Sequence, residues 1–317
     1  MRVLLTAIGS MSAECAINKL KEKDNYVVGC DIYPKEWHYE SFLCNSFYQA
    51  PLATKEAEYI QFLLNICKKE QINYLIPLTD LEIDVIDRNR DILKRNNVII
   101  CTQSSSVLKI VRNKFALYKF FENDPHVLSL KTFLLSELQD FTKISYPCVA
   151  KPYNGRSSEG LIKDVRIEQL AAINNKEDYI IQEQKQGDIF TVDYCRCEKT
   201  KQECAVPRKE LLRTKNGAGL TIKISKDKKL IDIVSYIGRK LGINGCVNME
   251  FIYCDGEYYL IDINPRFSAG IAFTSISGYD IVNNHLNCFC NKSIDNPITL
   301  EENIIYKKYK EVFINNQ

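Results

Sequence analysis

Four side chains between Cys246 and Gly270 are out of place among β-forming neighbours: Asn248, Glu250, Asp262 and Asn264. Val247, Met249, Phe251 and Tyr253 fall on one face of the first run, with Asn248, Glu250 and Ile252 on the other. In the second run Tyr259, Ile261 and Ile263 oppose Leu260, Asp262 and Asn264. Two carboxylates held close together repel unless a cation sits between them, and hard oxygen ligands suit Mg²⁺ (or Mn²⁺) bridging phosphates. Whether they meet depends on the link, where Asp255-Gly256 signals a hairpin. A two-residue turn there would pair Glu250 with Ile261 and send Asp262 to the opposite face. A three-residue loop, Cys254-Asp255-Gly256 with Gly256 left-handed, puts all four polar residues on one face and is the expected register. Two solvent-facing acids on an edge hairpin is the competing reading of these residues.

A second group lies upstream. The β-rich run Tyr146–Ala150 ends at Lys151 and leads into Pro152-Tyr-Asn-Gly155-Arg-Ser157-Ser158-Glu-Gly160. Backbone N–H groups freed by Gly155 and Gly160, with the Ser157 and Ser158 hydroxyls, can donate to phosphate oxygens while Lys151 cancels charge. The loop has no glycine-lysine-serine ending and no helix after it, so it is not a Walker A loop. A plain β-turn is the alternative.

The elements that must position these residues follow from periodicity. Strands at Val3–Ala7, Tyr26–Asp31, Tyr74–Pro77 and Val98–Cys101 alternate with helices at Ala13–Lys23, Glu56–Lys69 and Asp80–Lys94, Ser12 being the first helix's N-cap. That order predicts an open parallel sheet with helices on both faces. Gly9 stands alone where a dinucleotide fingerprint needs three glycines, which argues against NAD. Ser104-Ser-Ser106 marks a boundary, and a helix over Lys228–Leu241, ended by Gly242, feeds the acid-bearing hairpin. With 317 residues, 45% hydrophobic and 26% charged, the chain has an ordinary globular composition. A net charge of +2 gives no support for a nucleic-acid surface. No apolar run reaches transmembrane length and the start lacks a signal-peptide pattern, so a cytoplasmic protein without membrane contact is expected. The 13 cysteines include Cys195/Cys197 and Cys288/Cys290. Their wide separation argues for reduced, mostly buried thiols rather than a zinc site.

Glu250 followed by Asp262-Ile-Asn264-Pro265-Arg266 resembles the metal-binding signature of the ATP-grasp superfamily, which usually has Glu where Asp262 stands. Phe267-Ser268-Ala-Gly270 is similar to its carbamoyl-phosphate-synthase-like branch. The resemblance implies an α/β protein with three parts. Residues 1–104 would form a Rossmann-like pre-ATP-grasp domain, 105–182 the small lobe with linker helices, and 183–317 the C-terminal lobe of a two-lobed α+β ATP-grasp domain. It implies ATP and Mg²⁺ as cofactors, with Lys114, Lys151 and the Gly155–Gly160 loop on the phosphates. Glu183, Gln184 and Lys185 would lie at the adenine. Ile189 stands where the ribose-binding acid is expected, so Asp188 would take that part. Glu250, Asp262 and Asn264 would hold metal, and Arg266 with Lys151 would stabilise the transferred phosphoryl group. Arg208, Arg213, Asp80, Glu82 and Ser268 fall on the substrate side, although for Asp80 and Glu82 helix capping explains the residues equally well. The implied activity is ATP-dependent ligation: a small-molecule carboxylate becomes an acyl-phosphate and an amine displaces phosphate. A homodimer is compatible with it. A degenerate nucleotide-sensing module is the alternative, motivated by the missing ribose acid and by Asp262.

Overall fold

The computed structural model describes residues 1–155, 159–170, 172–173 and 175–307. Strands β1 (Arg2–Thr6), β2 (Tyr26–Asp31), β3 (Ser46–Gln49), β4 (Tyr74–Ile76) and β5 (Ile99–Ile100) form a parallel sheet in the order β3-β2-β1-β4-β5. Helices α1 (Ala13–Lys21), α2 (Glu40–Leu43), α3 (Glu56–Lys69), α4 (Asp80–Arg88) and α5 (Arg90–Arg95) connect them. The near-continuous apolar strands Val3–Leu5 and Val27–Cys30 are buried on both faces, as a parallel sheet requires. Ser12 occupies the α1 N-cap, but its hydroxyl meets Ser10 instead of capping the helix. The helix expected over Asp80–Lys94 divides at Asn89, whose side-chain amide donates to the Val85 carbonyl (2.9 Å) and to Glu56 of α3 (2.6 Å). A side-chain amide that competes for backbone carbonyls ends a helix in this way.

Helices α6 (Ser105–Val111) and α7 (Lys114–Phe121) follow, each capped by its own side chain: Ser104 accepts from Val107 N–H, and Asn113 from Phe115 and Ala116 N–H. Strand β6 (Leu128–Ser129) precedes a four-stranded antiparallel sheet, ordered β7-β10-β8-β9, made of β7 (Thr132–Leu134), β8 (Cys148–Pro152), β9 (Ile162–Val165) and β10 (Tyr179–Glu183), with α8 (Ile167–Leu170) beside it. A seven-stranded sheet holds the rest. Its strands are β11 (Asp188–Arg196), β12 (Glu203–Arg213), β13 (Gly219–Ile224), β14 (Gly245–Cys254), β15 (Glu257–Asn264) and β16 (Ile304–Tyr306), in the order β16-β13-β12-β11-β14-β15-β6. Helix α9 (Lys228–Leu241) packs Leu230, Val234 and Ile237 under this sheet and ends at Gly242 with φ 72°. Helices α10 (Ile271–Ile276) and α11 (Ile281–Phe289) complete the chain's helical elements among the described residues.

The first sheet docks on the large one through shared core and backbone-seeking side chains. One apolar cluster includes Val3, Leu5 and Ile17 together with Phe267, Ile281 and Leu286. Gln103 pairs with Asn244 in both directions (Nε2 to O, 3.0 Å; N to Oε1, 3.1 Å). His285 of α11 accepts from Cys246 N–H at Nδ1 (2.8 Å) and meets the Cys101 carbonyl at Nε2 (3.1 Å). Burial lowers its pKa to about 4, so the ring is neutral and carries its proton on Nε2. Of the thirteen thiols nine are buried on core faces, and Cys195 and Cys288 approach to 3.9 Å.

Candidate active site

The hairpin β14–β15 closes differently from expectation. Asp255 (φ 53°) and Gly256 (φ 78°) form a two-residue turn with Cys254 opposite Glu257, not a three-residue loop. Two consecutive left-handed residues match the strand twist, and Asp-Gly supplies them at little cost. The pairing Phe251↔Leu260 continues that register, but the next pair is Glu250↔Asp262. One extra residue, Ile261, is inserted as a β-bulge, and it restores the parity that the short turn alone would lose. Asn248 lies opposite Asn264 in consequence. Leu260 therefore joins the core with Tyr258 and Ile263, correcting the alternation that grouped it with Asp262, and Ile261 lines the cleft instead.

The four polar residues line a cleft of about 1170 Å³ between the three sheets. Each acid already holds a cation. Arg213 on β12 binds Glu250 (2.6 Å) and donates to the Gly217 carbonyl (2.7 Å). Lys114 at the start of α7 meets Asp262 (3.1 Å) and donates to the Gly155 carbonyl (2.8 Å). Asn264 Oδ1 accepts a long hydrogen bond from Arg266 (3.4 Å), which also pairs with Asp80 (3.0 Å) across the cleft. Burial would raise Asp80, but the charges of Arg266 and Arg112 outweigh it and hold the carboxyl below its ordinary value. Lys151 on β8 is buried and donates to Gln182 Oε1 (2.8 Å), whose own amide is fixed by Thr132 (2.9 Å). Burial lowers Lys151 to about 8, the Lys114 charge adding to the effect and Asp262 and Glu250 opposing it.

Sequence reasoning named part of this cleft. Glu183, Gln184 and Lys185 line it at the β10–β11 link. Glu183 pairs with Lys185 (3.2 Å), Lys185 lies 4.6 Å over the Tyr259 ring, and Gln184 is tied to Asp164 (2.7 Å). Asp188 is not brought in. It pairs with Lys209 on the other face of β11 (2.6 Å), and its neighbour Ile189 lines the cleft, because successive strand residues face opposite ways. Gly155 lines the cleft; Gly160 (φ 68°) packs instead against Pro152 and Tyr179, where an added Cβ would fall 2.9 Å from each. Ser157 and Ser158 lie outside the described residues. Arg208 is buried, held by Asp193 (2.7 Å), Glu210 (3.3 Å) and Ser268 (3.1 Å). Glu82 accepts from the hydroxyls of Thr6 (2.8 Å), Tyr59 (2.8 Å) and Thr79 (2.7 Å), and burial still pushes its pKa up. The missed residues are Asp193, Gln182 and Glu210. Asp193, fully buried, also accepts from Asn248 (3.0 Å) and Thr274 (2.6 Å). An acid inside the β-rich run Phe190–Tyr194 was the only available signal.

A family model described as "ATP-grasp in the biosynthetic pathway with Ter operon" matches residues 175–312, and one described as "PylC-like, N-terminal domain" matches residues 14–101. Residues 175–312 thus resemble the ATP-grasp family, and residues 14–101 a PylC-like N-terminal domain. Among curated relatives, the arginine-specific carbamoyl phosphate synthase large chain of Geobacillus stearothermophilus is 33% identical over 55 residues, 17% of this chain and 5% of that relative. The match thus spans a small part of that much longer protein. Two solved structures share the fold. The biotin carboxylase domain of the Hydrogenobacter thermophilus 2-oxoglutarate carboxylase, solved with MgADP, ADP and bicarbonate, superposes with a TM-score of 0.78 at 14% identity, covering 95% of this chain and 72% of that one. The L-amino acid ligase of Bacillus licheniformis gives 0.70 at 14%, covering 91% and 74%. No described helix is long and apolar enough to cross a membrane.

The donor set fits a hard divalent cation. Glu250 and Asp262 face each other in register, Asn264 Oδ1 stands two residues on, and the remaining ligands of a magnesium ion are ordinarily phosphate and water oxygens. Among the described residues no cluster of three or more His, Cys, Asp or Glu is arranged to hold a metal alone.

Proposed function

We propose that the chain is an ATP-dependent ligase that phosphorylates a substrate carboxylate to an acyl-phosphate and joins it to an amine, releasing ADP and phosphate. The observation that carries this reading is the bulged register that sets Glu250 against Asp262, with Lys114, Lys151 and Arg213 all in the same cleft. Magnesium, held by Glu250, Asp262 and Asn264, would supply Lewis-acid neutralisation of the β- and γ-phosphates. Lys151, buried and partly deprotonated in the free protein, gains its full charge when phosphate oxygens arrive. Lys114 and Arg213, now paired to the acids, are within reach of the same oxygens once the metal takes the carboxylates. Arg266 stands beside Asn264 with Asp80 fixing its guanidinium, placed to stabilise the transferred group. The apolar side chains Val149, Ile189, Ile252 and Ile261 line the cleft towards Glu183–Lys185 and form a slot for the adenine ring. Buried Arg208, already neutralised by Asp193 and Glu210, has one guanidinium nitrogen on Ser268 at the substrate end, suited to orient a carboxylate.

ADP release over a panel of carboxylate and amine pairs tests the reading. Turnover should appear with a specific pair, require magnesium, and fall by about 100-fold or more in Asp262→Ala. Nucleotide binding without turnover on any pair would instead favour a sensing role, which the placement of Ile189 where a ribose-binding acid was expected also supports.

A further inference from the structure

The two walls of the cleft differ in charge. Every lysine and arginine that lines it among the described residues follows residue 110, whereas the first-domain wall contributes Asp31, Asp80 and Glu82 and no cation. Asp80 is neutralised by Arg266 and Arg112 (3.3 Å), and Glu82 is enclosed by three hydroxyls. Among the described residues Asp31 accepts from Gly9 N–H (2.9 Å) and Tyr33 N–H (3.2 Å) and pairs with His38 Nε2 (3.1 Å). An added Cβ on Gly9 would come within 2.5 Å of this ring, so glycine lets the imidazole pack closely on the turn after β1.

Apolar surface is concentrated beside this polar pair. The Tyr33 ring stacks on Trp37 (5.7 Å, 25° between planes) and tilts against His38 (5.6 Å). Tyr33 is 48% exposed, Trp37 70% and Leu52, also at the cleft, 51%. A ladder of exposed rings next to convergent hydrogen-bond acceptors is a surface that ordinarily meets a ligand.

We propose that this end of the cleft is the acceptor subsite, and that it takes a primary amine carried on an aromatic group. The nitrogen sits at the Asp31 carboxylate, and the ring packs on Tyr33. Calling the ligand the acceptor rests on the ligase reading; the binding chemistry does not. A phosphate-bearing acceptor would find no cation on this wall, and the anionic reactants are drawn to the opposite, basic wall.

Trp37 is the sole tryptophan of the chain, so its emission reports on this ladder alone. The full chain is titrated with benzylamine, butylamine and phenylacetate, with MgADP binding followed in parallel by calorimetry. Benzylamine should change the emission saturably, and butylamine, without the ring, and phenylacetate, with the opposite charge, should each bind about tenfold more weakly or worse. Tyr33→Ala should weaken benzylamine by about three- to tenfold with MgADP binding unchanged. Asp31→Asn should remove the preference for benzylamine over phenylacetate. An equal response to amine and acid, no saturable response in protein that binds MgADP, or an unaltered benzylamine affinity in Tyr33→Ala overturns the proposal. Benzylamine binding as expected with no ADP release on any carboxylate leaves the subsite standing and removes the ligase reading. ADP release that butylamine stimulates as well as benzylamine does the reverse.

Discussion

At the scale of single residues, Lys151 carries the sharpest expectation. Its pKa near 8 in the free protein must rise when a phosphate becomes its partner. Nucleotide affinity is therefore fully present below about pH 8 and declines as pH rises from there towards the bound-state value, by up to about tenfold per unit. Lys151→Arg, charged throughout, should flatten that decline. Isothermal titration between pH 6.5 and 9.5 checks it, and a wild-type affinity constant over this range would show that Lys151 is not at the phosphates. Asp193 illustrates what a sequence hides at this scale. Lys151 and Glu250 announce themselves through the residues around them, whereas Asp193 is a single acid whose partners Arg208, Asn248 and Thr274 come from three other elements.

The decisive element is the β14–β15 hairpin. Its strands and its acids were legible because period-2 alternation and Asp-Gly are local signals, and the shared face of Glu250, Asp262, Asn248 and Asn264 is as expected. The route to that face was not legible. A two-residue turn plus a bulge and a three-residue loop give the same parity, and nothing local to Leu260-Ile261-Asp262 distinguishes them. The bulge also turns Ile261 into cleft surface, so deleting this one residue has a separable outcome. The pair Glu250↔Asp262 should survive, since Leu260 and Asp262 would then alternate directly, and magnesium should still strengthen nucleotide binding. Affinity for ATP should nevertheless fall about tenfold through lost apolar contact. Loss of the magnesium effect in the deletion would mean that the bulge itself orients the acids. Helices with regular periods and clear ends, such as Glu56–Lys69 and Lys228–Leu241, were read to the residue, while the break at Asn89 depended on Glu56 from a distant helix.

For the whole molecule, the contact between the first sheet and the large sheet decides stability at low pH. His285 sits in that contact, bonded to Cys101 on one side and Cys246 on the other. Its pKa is depressed from 6.5 to about 4, so its contribution is fully present above pH 6.5 and is lost as pH falls towards 4. The loss amounts to about 3 kcal/mol across that window. His285→Asn should be less stable at pH 7 and should lack this part of the acid slope, as urea unfolding midpoints at several pH values would reveal. An unchanged slope would place the acid sensitivity elsewhere.

The pairing of both cleft acids with cations has a consequence for handling and for evolution. Glu250 and Asp262 are each neutralised by a side chain of the chain itself, Arg213 and Lys114. The protein thus carries internal counter-ions at both acids, and under the proposed function magnesium held there would leave these two cations to the nucleotide. Prolonged chelation should therefore leave the melting temperature within a few degrees of the untreated protein, unlike a domain whose fold depends on zinc. A variant lacking one of the two cations should become the chelation-sensitive one.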